Sequence, residues 1–166
     1  KPTIGLLNVG SEEMKGHDEV KRAGVTLREG KVPVEFHGFI EGDDITAGTV
    51  DVVVTDGFTG NVVLKTLEGS LKTVVKALFS AFGAPELKVH ADALLPALLP
   101  LYESLDPDTY GGAILLGVDG VCIISHGSSS ARAMLNGIKV AKEMVDSQMV
   151  EEIRTAIGLL SETSDK

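Results

Sequence analysis

The sequence contains one cysteine, no tryptophan and few aromatic residues, which limits how the fold can be stabilised. With Cys122 alone, no disulfide can form within the chain, and a reducing cytosol is the compartment that this composition favours. At 166 residues the chain can bury about two-thirds of its unfolded surface in one core. Stability therefore requires neither disulfides nor metal ions.

Positive charge is also scarce, since 15 lysine and arginine residues face 24 acidic residues and the net charge is −9. This balance disfavours nonspecific attraction to nucleic acid. No apolar run approaches the ~20 residues that span a bilayer. The first residues lack a starting methionine and the regions of a signal peptide, and they lead almost directly into a strand, as in a fragment. The simplest interpretation is a soluble acidic domain.

The first half of the chain alternates extended apolar runs with helical patterns, which predicts an α/β fold with a mostly parallel sheet. The run Val52–Val54 is typical of a strand that is covered on both faces. Ser11 is the expected cap of the first helix and Gly30 its expected end. The predicted elements are strands at residues 3–9, 32–40 and 51–55, with helices at about 11–30 and around Ile45.

The second half is dominated by a long proline-free segment, residues 58–82, with apolar residues spaced by three and four. This pattern predicts one amphipathic helix that Gly83 ends. The following apolar segment, residues 86–105, contains Pro96 and Pro100, so a regular helix there should kink or break. Residues 58–105 are therefore expected to form a projecting helical hairpin.

Asp119 and Gly120 separate two apolar runs, residues 113–118 and 121–125, which is a strong hairpin signal. Cys122 is expected inside the second of these strands, where it would be a poor nucleophile. A last helix is predicted from the serines at 128–130 through Val145, with a continuation toward Ile157. The expected organisation is a single α/β domain over residues 1–160 and a frayed polar tail over residues 161–166.

Two junctions share one design, in which an apolar strand is followed by a loop rich in Gly, Ser and Thr and then by a helix. Such loops at the carboxyl ends of parallel strands lie where α/β folds bind ligands, and helix N-termini favour phosphate. We expect the loops to converge on one anion site. The candidate residues are Asp56, Gly57, Thr59, Gly60 and Asn61 in the first loop and His126, Gly127, Ser128 and Ser129 in the second.

Each candidate has a structural alternative. The glycines could serve only the turns, Ser128 could be an ordinary helix cap, and Asp56 could bond its own loop. His126 could act as an acid or base, yet a lone histidine is more often structural. Neither loop matches the Gly-Lys-Ser/Thr phosphate loop or the dinucleotide fingerprint. The four histidines lack metal-ligand spacing, so we expect no catalytic metal and no cofactor.

Several motifs together resemble the bacterial PlsX family of phosphate acyltransferases, and they follow the family's order over most of the chain. The matching segments are Gly5–Gly10, Glu41–Asp43, Asp51–Lys65, Tyr110–Ala113 and Leu115–Ser130. The resemblance covers the carboxy-terminal half of the family's enzymes. Part of the active-site cleft would therefore come from polypeptide that this sequence does not include.

The resemblance implies a Rossmann-like three-layer α/β/α sandwich of the isocitrate/isopropylmalate dehydrogenase-like superfamily. It also implies a cytoplasmic, peripherally membrane-associated homodimer that converts acyl-[acyl carrier protein] and inorganic phosphate to acyl phosphate for phospholipid synthesis. Asp56, Asn61, His126 and Ser128 are then the candidate catalytic residues. The remaining loop residues would bind substrate.

Two competing classes are a cofactor-dependent dehydrogenase of the same superfamily fold and a noncatalytic dimerisation or membrane-docking module. Lys65, Lys72 and Lys76 fall seven and four residues apart on one helix face and could bind the acidic carrier protein. A solvated helix face is the simpler alternative. The leucine-rich hairpin is expected to contact a second subunit or a membrane surface, and the alternative is that it is buried within one subunit.

Overall fold

The computed structural model describes residues 1–30, 34–127 and 129–164. The chain divides into two compact units, Lys1–Leu67 and Glu68–Lys166. Each unit contains one of the two sheets found in the described residues.

The first unit is built on a three-stranded sheet in the order β2-β1-β3, and both strand pairs are parallel. Its strands are β1 (Thr3–Leu7), β2 (Glu35–Ile40) and β3 (Val52–Val54), connected by α1 (Asp18–Glu29) and α2 (Gly42–Ala47). The predicted α/β class and parallel sheet are confirmed here. The second predicted strand began at Val32, but residues 31–33 lie outside the described part of the chain.

The core of this unit lies between the sheet and α1. Leu6, Leu7, Phe39 and Ile40 are buried. Gly24 of α1 sits against the sheet, and a Cβ atom there would lie 2.8 Å from the Phe39 ring. Glycine at this position allows the close approach of helix and sheet that buries the strand side chains.

The start of α1 differs from the prediction. The helix begins after His17, which makes no side-chain cap bond, and Ser11 lies in the preceding loop. Local sequence allowed Ser11 as a cap, but the residues between it and the helix form turns instead, in which the Lys15 N–H donates to the Glu12 carbonyl. The predicted end is correct, because the Gly30 N–H closes the helix on the Thr26 carbonyl.

Strand β3 is not covered on both faces, as its sequence led us to expect. Val52 and Val54 are 43% and 41% exposed. Within the described residues β3 pairs with β1 alone, so it lies at the edge of this sheet. The prediction of a covered strand is therefore wrong for the part of the chain that the structure describes.

The long helix is confirmed as α3 (Gly57–Phe82), and the Gly83 N–H donates to the Phe79 carbonyl at its end. A short 3-10 turn (Pro85–Leu87) leads into α4 (Lys88–Leu105). Of the predicted kink or break in α4, the break is wrong, because the helix continues through Pro96 and Pro100, and the kink stays a prediction. The carbonyls that lose a partner belong to Asp92 and Pro96, which are exposed, so water can satisfy them.

The second unit contains the predicted hairpin, in which β4 (Ala113–Ile114) and β5 (Ile123–Ile124) pair antiparallel. The connection from 115 to 122 is longer than a tight turn, and the Leu115 N–H donates to the Cys122 carbonyl. Cys122 is exposed and precedes β5, so its expected place inside the strand is wrong.

The remaining helices of this unit are α5 (Pro107–Tyr110), α6 (Ala131–Asp146) and α7 (Met149–Ser164). The expected continuation from Val145 toward Ile157 as one helix is wrong. Gln148 adopts a positive φ of 53° and separates α6 from α7. Helix α7 includes residues 161–164 of the segment that we expected to be frayed, and residues 165–166 lie outside the described chain.

Candidate functional site

The first loop, which we define as residues 55–61, joins β3 to α3. Asp56 caps the helix: its Oδ1 accepts the Thr59 N–H at 2.9 Å, and its carbonyl accepts the Gly60 N–H at 2.9 Å. Bonds from the Thr59 hydroxyl and N–H hold the pKa of Asp56 below its ordinary value. The structural alternative for Asp56, a bond within its own loop, is therefore confirmed.

This cap limits what the first loop offers to an anion. The ionised Asp56 carboxylate already faces the N–H groups of Thr59 and Phe58, so a phosphate there would meet a like charge. Asn61 is exposed and its neutral amide carries no such conflict. Of the first-loop candidates, Asn61 is thus the side chain best suited to donate a hydrogen bond to an oxyanion.

The second loop, residues 125–130, joins β5 to α6. The Ser129 N–H donates to the His126 carbonyl at 3.0 Å and forms a turn, and the His126 side chain is exposed. The residue that caps α6 is Ser130, whose Oγ accepts the Ala133 N–H at 3.2 Å. The alternative that Ser128 is the helix cap is therefore wrong. Ser128 itself lies outside the described residues.

Both ends of the second loop are attached to α5 and the residue that follows it. The Ser125 hydroxyl donates to the Gly111 carbonyl at 2.8 Å. At the other end, the Ser130 hydroxyl donates to Asp108 Oδ2 at 2.5 Å. The loop is therefore held between two hydrogen bonds to one short segment.

Sequence reasoning missed this support. It singled out Tyr110–Ala113 only as part of a family motif and did not assign a role to Asp108, Arg132 or Asn136. In the structure, the Asn136 amide donates to the Asp108 carbonyl at 3.0 Å, and Arg132 donates to the Thr109 hydroxyl at 3.2 Å. The available signal was the Gly111–Gly112 pair, because adjacent glycines often mark a close approach of two backbones.

The candidate residues fall into both units. Asp56, Gly57, Thr59, Gly60, Asn61 and Lys65 belong to the first, and Lys72, Lys76, His126, Gly127 and Ser129 to the second. We expected the two loops to follow parallel neighbouring strands, and this is wrong, because β5 pairs antiparallel with β4 in a separate sheet. Their convergence on one site remains a prediction.

Helix α3 carries the three candidate lysines, all of which are exposed. Lys72 and Lys76 are exposed, whereas Leu67, Leu71 and Phe82 on the same helix are half-buried. This arrangement leaves both ammonium groups accessible from solution.

Two cavities of about 260 Å³ and about 250 Å³ occur in the described residues. The first lies beside α1 and β2, and the second is bounded by the β4–β5 connection and α7. Neither is lined by a residue of the two loops. Within the part of the chain that is described, no group of three or more His, Cys, Asp or Glu residues could hold a metal ion. None of the described helices has the length and apolar character needed to cross a membrane.

Comparison with known proteins gives the family. The sequence model of a family described as "Fatty acid synthesis protein" matches residues 1–152. A protein of Acidiphilium cryptum named phosphate acyltransferase is 51% identical over 95% of this chain and 42% of its own length. Proteins of the same name from Gluconacetobacter diazotrophicus and Caulobacter vibrioides are 48% and 44% identical over 96% and 99% of the chain.

The chain spans less than half the length of these relatives, with 43% of the Gluconacetobacter protein and 46% of the Caulobacter protein covered. The match to the family nevertheless extends over nearly the whole chain. The chain therefore belongs to the fatty acid synthesis protein family, which is the PlsX family that its motifs resemble.

Proposed function

We propose that the longer protein containing this chain transfers the acyl group of acyl-[acyl carrier protein] to inorganic phosphate and so supplies acyl phosphate for phosphatidic acid synthesis. The observation that carries this proposal is the 51% identity, over 95% of the chain, to a protein named phosphate acyltransferase. This chain would form the carboxy-terminal half of the enzyme.

The reaction requires the enzyme to position phosphate beside the thioester, and it does not require a nucleophilic side chain, because phosphate is itself the nucleophile. A phosphate oxygen attacks the thioester carbonyl, a tetrahedral oxyanion forms, and its collapse expels the phosphopantetheine thiolate of the carrier protein. The acyl phosphate and the free carrier are the products. The protein must hold phosphate beside the thioester and stabilise the oxyanion, which preorganised N–H, amide and hydroxyl donors can do.

The two loops differ in the donors that each could offer to this reaction. The carboxylate of Asp56 caps α3 and repels a phosphate from its N–H groups, so Asn61 is the first loop's donor to the oxyanion. The second loop has no acidic residue of its own, the first turn of α6 has none either, and the Asp108 carboxylate that meets the loop accepts the Ser130 hydroxyl rather than the backbone N–H groups of the helix. Phosphate would therefore bind at the second loop, with donors from Gly127, Ser128 and Ser129, and with His126 beside them.

The partners proposed for the enzyme are acyl carrier protein, phosphate, a second copy of the chain and a membrane surface. Exposed apolar side chains on α3 and α4 support the last two, because contact with a partner or a membrane would remove these groups from water. They include Leu64 and Val74 on α3 and Val89, Leu94 and Leu99 on α4, with exposures from 48% to 77%. The enzyme would act in the cytoplasm and deliver its product at the membrane surface.

No specific observation favours the two competing classes. A dehydrogenase of the same superfamily fold would need metal-binding carboxylates that we do not find among the described residues. A noncatalytic module would not explain why hydrogen bonds hold the second loop at both ends. The acyltransferase remains the function best supported by the chain.

The test is phosphate-dependent release of the carrier thiol from acyl-[acyl carrier protein] by the full-length protein. We expect turnover by the full-length protein, little turnover by the 166-residue chain alone, and recovery when the missing part is co-expressed. Thiol release that does not depend on phosphate would exclude the proposed reaction. Full activity of the isolated chain would show instead that both halves are not needed.

A further inference from the structure

Asp108, which lies outside the second loop, binds the side chain of Ser130 at the carboxyl end of the loop. Asp108 Oδ2 accepts the Ser130 hydroxyl proton at 2.5 Å. The Ser130 Oγ in turn accepts the Ala133 N–H at 3.2 Å. A hydroxyl has one proton, so its donation to Asp108 leaves the oxygen lone pairs directed at the helix.

The backbone of Asp108 is held by hydrogen bonds on both sides of its side chain. The Asp108 N–H donates to Asp106 Oδ1 at 3.1 Å, and the Asp108 carbonyl accepts the Asn136 amide at 3.0 Å. Asp108 is half-buried. It is therefore a fixed acceptor rather than a mobile surface charge.

Without this acceptor the Ser130 hydroxyl would be free to rotate toward other groups, and the cap of α6 would weaken. The consequence would fall on His126, Gly127 and Ser129, because the loop is held at its other end by the bond from Ser125 to Gly111. A loop held at one end samples more positions than a loop held at both ends.

We propose that Asp108 is a positioning residue that acts through Ser130 to hold the Gly127 and Ser129 donors of the second loop where phosphate binds. The expected effect on phosphate kinetics rests on the proposed function. The claim that Asp108 holds the Ser130 cap of α6 does not depend on it. Asp108 itself does not touch the substrate in this scheme. It sets the geometry of groups that do.

The experiment compares three variants of the full-length enzyme. Asp108→Ala removes the acceptor, Asp108→Asn keeps an amide oxygen that can accept the same proton, and Thr109→Val is the matched control on the same short helix. Thr109 bonds Arg132 and the Glu103 carbonyl but neither serine of the loop. The measurements are kcat, the KM for phosphate, the KM for acyl carrier protein, the melting temperature and the exchange rate of the Ala133 amide proton.

We expect Asp108→Ala to lower kcat/KM for phosphate by roughly ten- to a hundredfold, since a misplacement of about 1 Å can cost about a hundredfold in rate. The KM for the carrier protein should change much less, and Asp108→Asn should recover most of the loss. The Ala133 amide should exchange faster in Asp108→Ala alone. Thr109→Val should lower the melting temperature without this kinetic pattern.

Normal phosphate kinetics in Asp108→Ala would overturn the inference, and so would equal losses in all three variants that follow the melting temperature. Failure of Asp108→Asn to recover activity would also overturn it, because the proposed role is that of a hydrogen-bond acceptor. If the wild-type enzyme formed no acyl phosphate, the proposed function would fail instead. The exchange of Ala133 would then still decide whether Asp108 holds the loop.

Discussion

Gly111 and Gly137 approach each other so closely that a Cβ atom on Gly111 would collide with the Gly137 nitrogen. The contact seats α5 against α6, next to the bonds that hold the second loop. Gly111 also has a φ of 75°, which favours glycine. Close packing of the backbone therefore accounts for glycine at position 111 of the Tyr-Gly-Gly motif.

Gly137→Ala should destabilise the full-length protein by about 1–3 kcal/mol, because its Cβ would lie 2.9 Å from the Gly111 carbonyl oxygen. Gly69→Ala on α3 is the matched control, since no atom outside its own helix lies within 4 Å of the added carbon. That change should stabilise the helix by up to about 1 kcal/mol. Urea unfolding gives the change in the free energy of unfolding for each variant. Changes of the same sign in both variants would contradict the close contact between Gly111 and Gly137.

A second prediction concerns acid stability of the first unit. Asp51 Oδ2 accepts both the N–H and the hydroxyl of Thr3 at 2.7 Å, and the Asp51 N–H donates to the Thr3 hydroxyl at 2.9 Å. The two bonds from Thr3, first its N–H and then its hydroxyl, lower the pKa of Asp51. The folded state thus binds the proton less readily than the unfolded state. The resulting stabilisation is present above the ordinary aspartate pKa of about 3.9 and disappears as the pH falls through the folded value.

Asp51→Asn should therefore lower the urea midpoint at pH 7 and reduce the further loss between pH 5 and pH 3. Asp92→Asn on α4, an exposed aspartate, serves as the control. The measurement is the urea midpoint at each pH for both variants and the wild type. Parallel pH profiles for Asp51→Asn and the wild type would show that this carboxylate does not contribute.

Much of the first unit could be predicted from the sequence, because its strands and helices follow local periodicity. The long helix α3 and the β4–β5 hairpin were predicted for the same reason. The cap of α6 could not be chosen locally, since three consecutive serines each fit and Asp108 makes the bond that favours Ser130. That aspartate lies 22 residues away in sequence.

Long-range pairing explains the other errors. The apolar composition of β3 does not predict which element packs on the strand, and Val52 is 43% exposed in this chain. The strand before the second loop was predicted both as one arm of a hairpin and as a parallel neighbour of β3, and only the hairpin is confirmed, since Ile123 and Ile124 pair antiparallel with β4. The candidate loops were located correctly in sequence as strand-to-helix connections. Their chemistry depends on side chains, such as Asp108, whose roles appear only after folding.

A third prediction tests the membrane surface proposed for α4. Leu94 and Leu99 are 48% and 51% exposed, whereas Leu98 is half-buried, so the first pair can be changed with less risk to folding. Leu94→Glu with Leu99→Glu should release most of the full-length protein from vesicles of phosphatidylglycerol and phosphatidylethanolamine. Sedimentation with the vesicles measures this, and Val25→Glu on α1, also 48% exposed, is the control. Unchanged binding of the double variant with an unchanged melting temperature would exclude α4 as the membrane contact.

A fourth prediction concerns the carrier protein. Lys72 and Lys76 are exposed and one turn apart, so they can attract an acidic partner at short range despite the net charge of −9. Screening beyond a Debye length of ~8 Å weakens the overall repulsion. Reversal of both charges to glutamate should raise the KM for acyl carrier protein by roughly tenfold and leave the KM for phosphate alone. The same reversal at Lys139 and Lys142 on α6 controls for net charge, and an equal effect there would argue against a docking site on α3.

The fifth prediction tests the oxyanion donors. Asn61 is exposed on the first turn of α3, so Asn61→Ala should change stability little. Its side-chain amide is neutral and can donate a hydrogen bond to an oxyanion. Loss of one such donor lowers the rate by roughly a hundredfold. Thr66→Ala on the same helix should retain both stability and rate, because its exposed side chain lies beyond the first loop.

Ser128→Ala completes this test, since Ser130 and not Ser128 caps α6. A fall in rate at a constant melting temperature would therefore report a contact with phosphate or with the thioester oxygen rather than loss of the cap. Rate, phosphate saturation and melting temperature should be measured together on the full-length enzyme. If Asn61→Ala and Ser128→Ala both kept normal turnover and normal phosphate saturation, the two loops would be structural. The catalytic donors would then have to come from elsewhere in the longer protein, although membership of the family would stand.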